Sequence, residues 1–312
     1  MSLESDLLLD RRRLKRRLLL WRVVALLAVV GTLLLGMKLD GELPGSGEHI
    51  ARLTVTGPIA EDRRVLAAIE AMGRDPAARA LVIAIDSPGG TVSGGEALHR
   101  AIAQVAARKP VVAVMGATAA SAGYMIAVPA ARIFAREATL TGSIGVKLMM
   151  PEFSGLLEKL GVGDNSLASG PLKDEPSLAR PMSPAGRTVM RGILDDLHDQ
   201  FVAMVASGRN MPTARVRELA DGRAYTGRQA LALGLVDAIG GEAEARAWLA
   251  ATYSLPATLK LRDVGKRGWA DRMADGAGLD GSLSGLLGAL IKTVLSQRLD
   301  GAWAIWQPGM EE

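Results

Sequence analysis

The chain has 312 residues, 49% hydrophobic and 22% charged, enough apolar matter for a buried core and unlike the composition of a disordered chain. It has no cysteine, which excludes disulfides, thiolate metal sites, iron–sulfur clusters and a cysteine nucleophile. Its three histidines (His49, His99, His198) are too scattered for a metal-ligand spacing, and its net charge of +4 arises within residues 1–22, where seven bases meet three acids, so neither a zinc hydrolase nor a nucleic-acid-binding domain fits.

Residues 1–17 read as a basic N-terminus and residues 18–37, LLLWRVVALLAVVGTLLLGM, as a transmembrane signal anchor. About 20 apolar residues suffice to cross the hydrocarbon layer of a bilayer. The single charge, Arg22, lies near one end, where its stem can carry the guanidinium back to the head groups, and Trp21 suits the same level. The six bases at 11–17 ahead of the span, against one base in 38–48 behind it, give a positive-inside bias that holds the N-terminus in the cytoplasm. The end of the span lacks an Ala-x-Ala cleavage pattern, so an uncleaved anchor is expected, followed by a linker over 38–48.

Beyond the linker, strands and helices alternate. Ile50–Thr56 alternates as a strand, Arg63–Met72 has helical spacing, and Ala80–Asp86 is a continuous apolar run suited to a parallel sheet covered on both faces. Gly94–Arg108 is a predicted helix, Val111–Met115 a strand, and Ser121–Val128 a short helix. Short strands are expected at Arg132–Phe134 and Ser143–Leu148, helices at Glu152–Leu160, Pro184–Ser207, Thr213–Ala220 and Thr226–Leu233, a strand at Leu235–Ala238, and a closing helix at Glu242–Ala251. This rhythm predicts a layered α/β fold of repeated βαβ units. The body is read as 49–255 and the remainder, 256–312, as a C-terminal extension whose Ser282–Leu299 carries one apolar helical stripe in need of a partner.

Two strand–helix junctions could carry chemistry. In Asp86-Ser87-Pro88-Gly89-Gly90-Thr91, a proline and paired glycines leave backbone N–H groups bare at a helix start, suited to a phosphate, to an oxyanion or to a plain turn. The phosphate reading lacks its Gly-Lys-Ser/Thr ending. In the second junction, Ser121 stands among small residues, as a helix cap or as a nucleophile. Parallel strands bring both junctions to one sheet edge. A nucleophilic serine needs a base, and neither His99 nor His198 lies in a persuasive Ser-His-Asp setting. A lysine shielded from water is the other choice, and Lys173, in a loop after Ser169-Gly170-Pro171-Leu172, is the candidate.

Five segments in order resemble the signal peptide peptidase A family of membrane-anchored Ser-Lys proteases: Asp86–Gly90, Ala119–Tyr124, Leu140–Val146, Ser169–Asp174, and Asp221–Gly227 with Gly234–Asp237. The resemblance runs from about His49 to Ala251. It implies the fold shared with ClpP and the crotonases, Ser121 as nucleophile, Lys173 as general base, Ser143 as a hydrogen-bond partner of the lysine amine, and the N–H groups of Gly90 and Ala122 as the oxyanion hole. It implies no cofactor and no metal. Its expected substrates are remnant signal peptides and other unfolded apolar peptides. The expected setting is a bacterial inner membrane, with the body on the extracytoplasmic side. The short family members form ring-like oligomers, octamers among them, whose sites draw serine and lysine from neighbouring subunits. Trp303–Trp306 and the apolar helix are then expected to join the assembly or lie near its groove. A crotonase-type acyl-CoA enzyme and a non-catalytic membrane scaffold are the alternatives on the same fold.

Overall fold

The computed structural model describes residues 21–24, 27, 47–264 and, as backbone, 303–305. The expected span at 18–37 therefore lies outside the described residues except for 21–24 and 27, which are helical, and the apolar stripe at 282–299 lies wholly outside them. Among the described residues no helix is long and apolar enough to cross a membrane.

The body is built on a mixed, mostly parallel sheet. Its strands are β1 (His49–Thr56), β2 (Ala78–Ser87), β4 (Val111–Ala120), β5 (Arg132–Ala135), β6 (Leu140–Gly142), β7 (Ala224–Thr226), β8 (Ala238–Ile239) and β9 (Lys260–Asp263). The order is β7-β6-β4-β2-β1-β9, and β5 and β8 continue from the first half of β4. β4 thus serves two neighbours: Val112–Val114 pair with Arg132–Phe134, and Thr118–Ala120 pair with Leu140–Gly142. Only the β6–β7 pair of this sheet is antiparallel. A separate short strand, β3 (Gly89–Thr91), follows β2 at its C-terminal end.

The helices are α1 (Arg63–Arg74), α2 (Val92–Ala106), α3 (Ala122–Ala127), α4 (Ser154–Lys159), α5 (Pro184–Gly208), α6 (Thr213–Leu219), α7 (Gly227–Ala232) and α8 (Glu242–Tyr253). Asp62 caps α1, Thr91 caps α2, and Thr226 with Gln229 forms a capping box on α7, so side-chain oxygens satisfy N–H groups left open at those ends. One face of the sheet buries Leu53, Leu81, Ile83 and Ile85 against Ile69, Ile102, Tyr124, Met125 and Phe201. The other face packs Val82, Val112 and Phe134 against Ala245 and Leu249 of α8. The continuous apolar runs of β2 and β4 are needed because both faces are covered.

Three expectations shift. The strand expected at Leu235–Ala238 is the two-residue β8, Ala238–Ile239. The strand expected at Ser143–Leu148 lies instead at Leu140–Gly142, because Gly142 and Ser143 both take positive φ, 75° and 48°, and end the ladder there. The sheet also continues past 255: Lys260–Asp263 pairs in parallel with His49–Arg52, and Arg52 Nε donates to Asp263 Oδ1 at 2.7 Å.

Candidate active site

Three strand ends converge on Ser121. β2 delivers the glycine loop, β4 delivers the serine, and β6 delivers Ser143 one register step beyond the Ala120–Gly142 pair.

The glycine loop is held from both sides. Ser87 is buried, and its Oγ accepts from the Gly89 N–H at 3.1 Å. Gly89 has φ +115°, which excludes other side chains in practice. On one edge of β3, Ile59 N–H donates to Gly89 O and Thr91 N–H donates to Ile59 O, both at 2.8 Å. A Cβ on Gly90 would lie 1.8 Å from Ile59 O, so this close approach requires glycine. By strand alternation, the N–H and C=O of Gly90 itself face the opposite edge.

Ser121 is anchored through its backbone. Its N–H donates to Gly142 O at 2.8 Å, and its C=O accepts from Met125 N–H at 2.9 Å in the first turn of α3. Its backbone sits at φ 55°, ψ −118°. A non-glycine residue held there costs about 1–3 kcal/mol and persists only where the surroundings impose it. Its Oγ is buried and has no hydrogen-bond partner. It is not a helix cap: Ser121 makes no side-chain cap bond to α3. The alternative reading of a simple capping serine is therefore excluded by geometry. Ala122 opens α3, so its N–H is one that the helix ladder leaves unused. Small residues make room for this turn: a Cβ on Gly123 would meet Ser87 O at 2.9 Å, and one on Gly95 would meet the Ala122 Cβ at 3.0 Å.

Ser143 is buried. Its N–H donates to Arg223 O at 2.9 Å and its Oγ to Gly222 O at 3.0 Å, so the Asp221–Gly227 segment locks it in place. A cavity of about 430 Å³ opens beside it, lined also by Lys147, Arg191, Asp195, His198 and Asp221. Lys147 was not singled out from the sequence, where nothing distinguishes it from other lysines. Ile59 was also missed, since its role arises from a backbone bridge.

Lys173 lies elsewhere. It occupies an exposed turn over Pro171–Asp174, and its N–H donates to Gly170 O at 3.1 Å. Within one chain its amine does not reach the Ser121 hydroxyl, which has no partner. Just after the turn, the Glu175 carboxylate accepts from Ser183 N–H at 3.2 Å and so links this segment to the start of α5.

Neither histidine near the core serves Ser121. His99 Nδ1 pairs with Met125 O at 2.9 Å, and burial pushes the His99 pKa below its ordinary value. His198 Nε2 pairs with Ala220 O at 2.9 Å. Among the described residues no group of three or more His, Asp or Glu is arranged to hold a metal ion.

The profile of peptidase family S49 matches residues 103–255, and that of Clp protease matches residues 53–141. Over 250 residues the chain is 40% identical to a Synechocystis sp. chain assigned as protease slr0021, covering 76% of this chain and 90% of that one. It is 38% identical over 209 residues to an Enterococcus faecium chain assigned as signal peptide peptidase SppA, covering 62% and 61% respectively. It is 33% identical over 233 residues to the chloroplastic serine protease SPPA of Arabidopsis thaliana, covering 72% of this chain and 34% of that one. With a strained, buried serine at the meeting point of three strand ends and these relatives, the chain belongs to peptidase family S49 and is a serine protease with a ClpP-like α/β body.

Proposed function

We propose that this peptidase cleaves extended apolar peptides, remnant signal peptides among them, through a Ser121–Lys173 acyl-enzyme mechanism whose lysine comes from a neighbouring copy of the chain. One observation carries the reading: Ser121 Oγ is buried without a partner, while Lys173 stands exposed on a turn. A buried hydroxyl without a partner is costly unless something is meant to meet it.

In this reading Lys173 enters as a neutral amine, kept so by loss of water around it when the chains associate. It takes the Ser121 proton as Oγ attacks the peptide carbonyl. The Gly90 and Ala122 N–H groups stabilise the oxyanion, at about 2.7–4 kcal/mol per donor. Lys173 then protonates the leaving amine, and water releases the acyl group. Ser143 Oγ exchanges its Gly222 O partner for the arriving amine and orients it. Association is supported by the apolar side chains exposed along residues 149–178, namely Met149, Phe153, Leu156, Leu160, Leu178 and, in the lysine turn itself, Leu172. The proposed anchor at 18–37 would hold the body at the extracytoplasmic membrane surface, where such peptides remain after precursor processing. A reporter fused behind Glu312 should then be active outside the cytoplasm, and activity inside it would remove the anchor.

A second reading has support: Lys147 lines the cavity beside Ser143 and could serve as a base within one chain. Hydrolysis of a fluorogenic apolar peptide separates the two. Ser121→Ala and Lys173→Ala should each lower kcat by about 10⁴-fold or more, while Lys147→Ala changes it less than about tenfold. Loss of activity in Lys147→Ala with Lys173→Ala fully active would overturn the assignment of the base. Full activity in Ser121→Ala would overturn the mechanism.

A further inference from the structure

β4 changes neighbour in mid-strand, shortly before Ser121. It keeps step with β2 from the Leu81–Val111 pair to the Ile85–Met115 pair, and the next pair is Ser87–Ala119. Between those pairs β2 has only Asp86, while β4 has Gly116, Ala117 and Thr118. Such a bulge bends its strand and interrupts the ladder. Here it separates the half of β4 that pairs with β5 from the half that pairs with β6. Side chains meet the backbone groups of the bulge. Thr118 N–H donates to Asp86 Oδ1 at 3.0 Å, and Gly116 O accepts from Thr139 Oγ1 at 2.7 Å. Gly116 packs directly on Asp86, where a Cβ would lie 3.1 Å from Asp86 Cγ. Thr139 is buried, and its Oγ1 also accepts from Arg136 N–H at 2.9 Å, in the turn that leads into β6. Within β6, Thr141 Oγ1 donates to Ala119 O at 2.7 Å, so the grip on β4 continues beyond the bulge.

We infer that Asp86 and Thr139 are positioning residues for the nucleophile: they clasp the β4 bulge from its two sides and so set where Ser121 Oγ stands relative to the Gly90 N–H and to Ser143. The inference rests on the reading of Ser121 as the attacking hydroxyl. A bulge re-aims the strand that follows it, and only Ala119 and Ala120 lie between this one and Ser121. Ala117, Ala119 and Ala120 carry one methyl group each. Side-chain packing therefore specifies the register of this stretch weakly, and a slip of one residue would turn every side chain to the other face. The polar clasp supplies the missing specification. It also ties the strand that bears Ser121 to the turn that starts β6, and hence to Ser143. Misplacing a reacting group by about 1 Å can cost about 10²-fold in rate, so a small slackening here is felt in the chemistry before it is felt in the fold.

The test uses the full chain and a fluorogenic apolar peptide, comparing kcat, KM and Tm for Asp86→Ala, Asp86→Asn, Thr139→Val and Thr139→Ser. Labelling of Ser121 by a serine-acylating probe is followed in parallel, with Ser121→Ala as the blank. Asp86→Ala and Thr139→Val should each lower kcat and the labelling rate about 10- to 100-fold, with KM within about threefold of wild type. Asn retains the Oδ1 acceptor and Ser the hydroxyl, so Asp86→Asn and Thr139→Ser should both return kcat to within about threefold of wild type. Asp86 is exposed, so Asp86→Ala should keep its Tm within about 2 °C, and the Asp86 pair decides the matter should Thr139→Val fail to fold. A wild-type kcat in Asp86→Ala, or an Asp86→Asn as slow as Asp86→Ala, would overturn the clasp and, with Ser121→Ala inactive, leave the peptidase reading standing. Full activity in Ser121→Ala would remove the nucleophile and this inference together.

Discussion

The chemistry proposed for this molecule depends on residues whose backbones, more than their side chains, are unusual. Ser121 and Ser143 both hold positive φ, at 55° and 48°, a region that costs a serine free energy and that neighbouring backbone bonds enforce. Gly90 is their counterpart: its missing side chain lets Ile59 approach closely enough to fix β3 while leaving the Gly90 N–H turned to the opposite edge of that strand. Gly90→Ala introduces a Cβ 1.8 Å from Ile59 O, so the strand must move. Under the proposed role of the Gly90 N–H as an oxyanion donor, whose displacement costs about 10²–10³ in kcat, that variant should lose at least this much in peptide hydrolysis. Circular dichroism should meanwhile remain that of the folded chain. A kcat within threefold of wild type would show that this N–H takes no part. The sequence makes Gly89-Gly90 legible as a turn but says nothing of Ile59, because a backbone-to-backbone bridge is blind to side-chain identity.

At the scale of elements, α3 is the piece that must not drift, since Ser121 precedes it and Ala122 begins it. It is wedged from two sides. α2 approaches through Gly95, where a side chain would collide with Ala122 and Met125, and α5 crosses its far end, where a Cβ on Gly208 would meet Val128 Cγ1 at 2.2 Å. The C-terminus of α5 is itself bolted down by Arg209, which donates to Gly234 O at 3.0 Å and to Asp237 Oδ1 at 2.5 Å. Asp237 Oδ2 also accepts from Ile133 N–H at 2.7 Å, joining α5 to β5. The Arg209 side chain is 8% exposed and that of Asp237 29%. Arg209→Ala should therefore cost about 3 kcal/mol, because it strands a partly buried carboxylate and leaves the Gly234 carbonyl without its guanidinium donor. In a body of this size that corresponds to about 6–12 °C in Tm, readable by calorimetry. A shift below about 2 °C would mean the network contributes little. Of this arrangement the strands and long helices were readable from apolar runs and 3.6-residue spacing. The displaced β6 was not, because the turn at Gly142 and Ser143, which no periodicity reports, decides where pairing ends.

For the whole molecule, the separation of Ser121 from Lys173 within one chain makes the proposed site a property of the assembly. If each site takes its serine from one chain and its lysine from the next, two inactive proteins should repair each other. Mixing Ser121→Ala with Lys173→Ala in equal amounts, after dissociation and reassembly, should restore about a quarter of wild-type hydrolysis, the fraction of directional neighbour contacts in which both residues are intact. Either variant reassembled with itself should stay inactive. No recovery from the mixture, with assembly confirmed by sedimentation, would place serine and lysine in one chain. The stretch 149–178 that includes the lysine turn carries large apolar side chains, Leu172 of the turn among them, that a single body leaves uncovered, as an interface between copies would require.

Composition, apolar runs and the five ordered motifs settled the class of fold, the absence of cysteine chemistry and which serine to examine, because burial patterns and turn residues act over a few positions and are written locally. Tertiary structure decided the rest. It put Ser121 in a strained, unpartnered environment, set Ser143 one step away across a ladder, left Lys173 in the open, added Lys260–Asp263 to the sheet edge and laid Trp303–Ile305 along Gly89–Thr91. Each of these is a pairing between segments distant in the chain. Such pairings arise from backbone hydrogen bonds and packing that any compatible side chains permit, so no local pattern in the sequence announces them.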